Sequence, residues 1–176
     1  MILVVVMVVL VTLAFHILGA ISWPTEVTDV CKYPGLLKDW KSSGLARHFP
    51  PVVPSQATNV RLAAFPGFLQ SGAYLQLRMQ LPADQVRQIE AQLQQATTRA
   101  YVGGGIYEHY NRDPKNNLPT TSFHTADNPA TTFDFPAHYT LYVLRSRDGG
   151  NWNHGDTAGT AISTMANEVI YWAESW

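Results

Sequence analysis

The sequence predicts an α+β fold: one antiparallel sheet of about five strands, in the chain order ββαβββ, packed against one main helix behind an amino-terminal transmembrane helix. Three observations predict it. Residues 73–81 alternate strictly, with Ala73, Leu75, Leu77, Met79 and Leu81 on one side and Tyr74, Gln76, Arg78 and Gln80 on the other, which is the period of a strand. The stretch that follows, PADQVRQIEAQLQQAT, sets Val86, Ile89, Leu93 and Ala96 at helical spacing, with Gln85, Gln88, Gln92 and Gln95 facing water. The first 22 residues, MILVVVMVVLVTLAFHILGAIS, contain no Lys, Arg, Asp or Glu and as a helix are long enough to cross a hydrocarbon layer.

Of the 176 residues, 46% are apolar, enough for one ordinary globular domain. Twelve Lys and Arg stand against thirteen Asp and Glu, so the chain offers no general attraction to a polyanion, and nucleic acid is not an expected partner. Only 14% of the residues are charged; solubility rests largely on amides and hydroxyls.

Three readings of residues 1–22 compete: a retained anchor, a secretion signal cut after AIS, where Ala20 and Ser22 are small, and a buried core helix. The anchor is the expected one, because the run is long for a signal core and has no basic lead-in. The membrane is then the expected partner of this segment, and secretion after cleavage is the alternative. His16, the only ionisable side chain in the run, reads as a neutral imidazole near the interface. Lys32, Lys38 and Lys41 would by count hold the following domain in the cytoplasm, but Glu26, Asp29 and Asp39 lie among them, and the sparsely charged domain suits an extracytoplasmic setting better. Cys31 is the only cysteine, so no intrachain disulfide forms, and the residues before it do not make a bacterial lipidation site.

Residues 23–57 read as a juxtamembrane stalk and a strap. PGLLKDWKSSG offers Leu36, Leu37 and Trp40 on one side of a short helix that Gly44 stops, and the prolines at 50, 51 and 54 enforce extended backbone lying on the domain, with His48 capping or packing there. The domain proper is expected over 58–176. Its strands fall at 58–65, 73–81, 138–146, 157–164 and 168–175, with a Pro-Gly turn region after the first and a turn at MAN before the last. One face of the sheet is expected to be buried and the other wet.

HFPPVVP, FPGFLQSGAYLQLR and NWNHGDTAGTAIS followed by NEVIYWAE together resemble a group of bacterial proteins with an amino-terminal membrane segment and a small extracytoplasmic domain. The likeness spans roughly residues 44–173. It implies location and bacterial origin, and it implies no reaction, catalytic residue or cofactor.

Between the helix and the third of these strands, residues 102–138 are expected to form a long Gly-, Pro-, Asn- and Thr-rich loop, a length usual for functional or mobile segments. It holds Glu108, His109, Asp113, His124, Asp127, Asp134 and His138, within possible reach of His154. The histidines lie too far apart in sequence for a paired zinc-binding unit, so no metal and no cofactor is expected. No Gly-x-Ser-x-Gly elbow or phosphate-cradling loop is present. Two functions stay open. In the first, a non-catalytic binding module uses Trp152, His154, Tyr107 and Tyr110, among the other aromatics in and around the loop, Tyr101, Phe123, Phe133 and Phe135, to dock a cell-envelope protein, glycan or lipid. In the second, a cell-envelope hydrolase, with or without a metal, uses His154 and Asp156 with His109 or His124. Within GGNWNHGDTAGTAIS, turn chemistry accounts for the glycines, Asn151, Asn153 and Asp156, and leaves Trp152 and His154 as the residues a turn does not require.

Overall fold

A computed structural model of the chain describes residues 24–68, 72–102, 138–148 and 155–175. The apolar run 1–22 and most of the long loop lie outside the described residues. Among those described, no helix is long and apolar enough to cross a membrane.

The α+β class holds. Among the described residues, six strands, β1 (Thr58–Phe65), β2 (Ala73–Gln80), β3 (Ala100–Val102), β4 (Thr140–Asp148), β5 (Gly155–Ser163) and β6 (Glu168–Ser175), form one sheet in the order β1-β2-β6-β5-β4-β3. Every neighbouring pair is antiparallel. The strand beyond the expected five is β3, whose three residues are too few to carry an alternation. The last strand of the chain enters the middle of the sheet and joins the β1–β2 hairpin to the meander that begins at β3. Its eight residues pair with β2 from Ala73↔Ser175 to Gln80↔Glu168 without a slip.

Two α-helices among the described residues accompany the sheet: α1 (Tyr33–Ser43), preceded by a single 3-10 turn at Val30–Lys32, and α2 (Ala83–Ala96). In α1, Leu37 faces the core and Gly44 ends the helix in the left-handed conformation, φ 79°, its N–H closing on the Lys41 carbonyl at 3.1 Å. In α2, Val86 and Leu93 are buried and Ile89 is partly so, while Ala96 is exposed, because the helix ends there. Burying Val86 and Leu93 contributes roughly 1.5–3 kcal/mol each before ordering costs.

Residues 30–49, expected as a stalk, pack into the same core as the sheet: Tyr33, Leu37, Leu45, Ala46 and Phe49 join Leu62, Leu75, Leu77 and Tyr171 in one cluster. The Tyr33 hydroxyl donates to the Pro50 carbonyl at 2.6 Å and pins the proline strap. Before the helix, Val27 pairs with Ala64 as an isolated antiparallel bridge on the outer edge of β1.

The expectation of one wet face needs correction. Leu75, Leu77 and Met79 do point to the helices, but Gln76 on the other side is 2% exposed. That side carries its own apolar cluster of Tyr139, Leu141, Val143, Ala161, Ile170 and Trp172. The physical reason lies in β5 and β6. Their sequences do not alternate, and a strand with apolar or small residues at consecutive positions is one buried on both faces. Only the alternating β2 carries the simple signal.

Candidate functional site

Face, register and helix spacing together build one concave site. On α1, Leu36, Asp39, Trp40 and Ser43 follow the i, i+3, i+4, i+7 spacing of a single helical stripe. Leu37, one position on, turns into the core. The stripe faces Leu45, Ala64, Phe65 and Pro66 at the end of β1, Ala73 at the start of β2 and Ser175 at the end of β6, enclosing about 280 Å³. Gly67, φ 78°, makes the turn just beyond this wall. Among the described residues the lining is mostly apolar and aromatic, with polar side chains at Asp39, Ser43 and Ser175. Sparse polar groups in an apolar cleft are the usual constitution of a small-molecule site.

The sheet's register extends this site sideways. Ala73 is opposite Ser175, Ser175 opposite Asp156, and Asp156 opposite Arg147, so the four stand in one row across β2, β6, β5 and β4. Directly opposed residues share a face, so the row runs from the groove wall to a charged cluster. There Asp156, its side chain 4% exposed, accepts from Arg145 Nε at 2.5 Å and Nη2 at 3.1 Å, and from Arg147 Nε at 2.9 Å. Arg147 Nη2 also lies 2.7 Å from the carboxylate. Burial alone would raise the Asp156 carboxyl. The guanidiniums of Arg145 and then Arg147 outweigh it and hold the group below its ordinary value. Asp156 is therefore a fixed anion whose lone pairs are engaged, a poor proton carrier and a good clamp for two cations.

Replacing Asp156 by Asn should cost about 1–2 kcal/mol at neutral pH, because two guanidiniums are left facing each other, though both are partly hydrated. The sign follows from the lowered carboxyl: its contribution is present above the unfolded value and is lost as pH falls through the folded one. Urea unfolding should accordingly separate Asp156→Asn from the parent at pH 7, with the two converging in acid. A gap that persists undiminished in acid would contradict the clamp.

Of the other residues expected from the sequence, Tyr107, His109, Tyr110, His124, Trp152 and His154 lie outside the described residues. The structure describes both flanks of the 149–154 connection. Asp148 pairs with Gly155, so residues 149–154 connect two antiparallel neighbours, and Asp156, expected as a turn residue, instead lies within β5 with its carboxylate on Arg145 and Arg147, because the strand resumes at Gly155. Among the described residues, no group of three or more His, Cys, Asp or Glu is placed to hold a metal ion.

Two polar arrangements escaped the sequence. Arg78 Nε lies 2.7 Å from Glu168, which also accepts from the Tyr139 hydroxyl, on the face opposite the helices. Burial first, and then the bond to Glu168, push the Tyr139 phenol well above its ordinary value, so it stays a donor. Arg78 and Glu168 are opposed across β2 and β6 with a two-residue offset, information that only the strand order supplies. The second is His48, whose Nε2–H donates to the Gly159 carbonyl at 2.8 Å across 111 positions of sequence. The motif HFP marked its strap, but nothing in one chain names its distant partner.

No family model, curated protein or solved structure matches this chain.

Proposed function

We propose that the protein is a membrane-anchored extracytoplasmic domain acting as a non-catalytic binding module, with the groove between α1 and the ends of β1, β2 and β6 as its binding site. The observation that supports this reading is the groove itself: a preformed apolar cleft, with Trp40 and Phe65 as large flat walls and few polar groups to orient a guest. The state of Asp156 points the same way. A carboxylate engaged by two guanidiniums is held ionised, the opposite of what a general acid or a tunable base requires. Anchorage rests on the uncharged run 1–22.

A neutral alkyl probe bearing a photoactivatable diazirine tests the site. In the full-length protein held in phospholipid nanodiscs, carbene adducts should concentrate on peptides containing Leu36–Leu45 and Ala64–Ala73. Ser43, exposed at the rim, can be changed to Phe to fill the groove, and adducts at these peptides should then fall several-fold. Labelling spread evenly over the exposed chain, or unchanged in Ser43→Phe, would remove the groove as a binding site.

A further inference from the structure

We infer that the groove and the arginine pair are two halves of one site, and that its ligand is a membrane phospholipid with an anionic headgroup, whose acyl chain lies in the groove and whose headgroup meets Arg147 and Arg145. The inference rests on the reading of the groove as a binding site and names its occupant.

The row Ala73, Ser175, Asp156, Arg147 carries the geometry. Ala73 and Ser175 line the groove, and Arg147 stands two strands beyond Ser175 on the same face, a separation of about 10 Å. An amphiphile with its tail along Leu36, Trp40 and Phe65 therefore brings its polar end to the guanidiniums without a bend into the core. Both arginines are open to it: the side chains of Arg145 and Arg147 are 41% and 69% exposed, while the carboxylate between them is buried. Two guanidiniums against one buried carboxylate leave a net positive charge facing outward, set in fixed geometry by that carboxylate. Asp39 stands on the helix side of the groove, so an anionic head is repelled there and directed to the sheet side.

The chain's path names the source of the lipid. Val27 exchanges hydrogen bonds with Ala64, at 2.7 Å and 3.0 Å, and Ala64 lines the groove. Only five positions separate Ser22, the end of the uncharged run, from Val27. Fully extended, that stretch spans at most ~18 Å. If residues 1–22 are in the bilayer, the groove wall at Ala64 is held within that reach of its surface, and an Arg brought beside an anionic headgroup there strengthens attachment.

The test uses the full-length protein in phosphatidylcholine nanodiscs doped with increasing fractions of phosphatidylglycerol or phosphatidylcholine carrying a dibrominated acyl chain. The signal is the bromine quenching of tryptophan fluorescence that disappears in Trp40→Phe, which isolates the groove from the other tryptophans. We expect half-maximal quenching at an about ten-fold lower fraction of brominated phosphatidylglycerol than of brominated phosphatidylcholine. Arg147→Gln, which leaves the Arg145–Asp156 pair in place, should reduce that preference about five-fold. Equal quenching by the two lipids, unchanged in Arg147→Gln, would leave the groove as an acyl site and overturn the headgroup assignment. No Trp40 quenching by either lipid would overturn the whole inference and give the groove to another occupant, the apolar run itself or a second copy of the chain. In that case the neutral-probe labelling still decides whether the groove binds at all, so the two readings fail separately.

Discussion

Gly159→Ala is expected to lower stability by about 3 kcal/mol or more, the upper end of overpacking costs, and to lower the melting temperature by roughly 6–12 °C. Gly159 sits in β5 opposite Trp172 of β6 and Val143 of β4, at the heart of the sheet. A Cβ built there would overlap the Tyr142 carbonyl and the Trp172 ring well inside van der Waals contact. The indole lies across the glycine as a substitute for the missing side chain, and being 1% exposed it has nowhere to retreat. The other obstacle is a main-chain oxygen in a paired strand, which moves only if β4 moves. Immediately after this point the β4–β5 register slips, from Val143↔Gly159 to Arg145↔Ala158. At that irregularity the Gly159 carbonyl is taken by His48, so a shifted backbone also breaks the link to the strap. Trp172→Leu combined with Gly159→Ala should recover only part of the loss, because the carbonyl clash remains. A Gly159→Ala protein that melts with the parent, measured by circular dichroism on the full chain, would disprove the close packing of these strands.

How much of this was legible depends on how local the cause is. The alternation of β2 and the stripe of α2 are set by residues three or four apart, and both elements appear where the spacing puts them. Gly44 and the Pro-Gly turn at Gly67 are local in the same sense, since a left-handed residue is a property of one position. The second buried face, by contrast, required reading the unbroken runs of β5 and β6 as strands covered on both sides, a signal that competes with a buried helix. The groove was half visible. Leu36 and Trp40 announce an apolar stripe, but its opposite wall comes from the β1–β2 hairpin end and from Ser175, about a hundred positions further on. Asp156 was singled out for chemistry, but Arg145 and Arg147 carried no signal of their own, and only the β4–β5 register turns the three into a clamp. Strand order decides such things, and β6 entering between β2 and β5 is a choice among topologies that one sequence does not rank.

Acid should weaken the fold through His48 in a defined window. Burial pulls its imidazole from 6.5 down to about 4, against smaller opposing effects of the backbone at Gly159, Trp172 and Leu45. The ring stands edge-on to Phe49, with centroids 4.8 Å apart, and 6.1 Å from the ring of Tyr171, so a charged form would sit against two aromatic rings, with backbone groups to stabilise it only in part. With the folded value depressed, the unfolded chain takes up the proton first. The contribution of the neutral ring is therefore complete above pH 6.5 and declines as pH falls towards 4, where it levels off. Across that window the loss is about 3 kcal/mol, at about 1.4 kcal/mol per pH unit. His48→Gln separates this residue from the chain's other histidines, since the glutamine amide can still donate to the Gly159 carbonyl and does not titrate. Unfolding free energies from urea curves between pH 7 and pH 4 should show the parent losing about 3 kcal/mol more than His48→Gln, whatever slope the two have in common. Parallel curves for the two proteins would mean that His48 is solvated in the folded state, and the strap would then not be seated on β5.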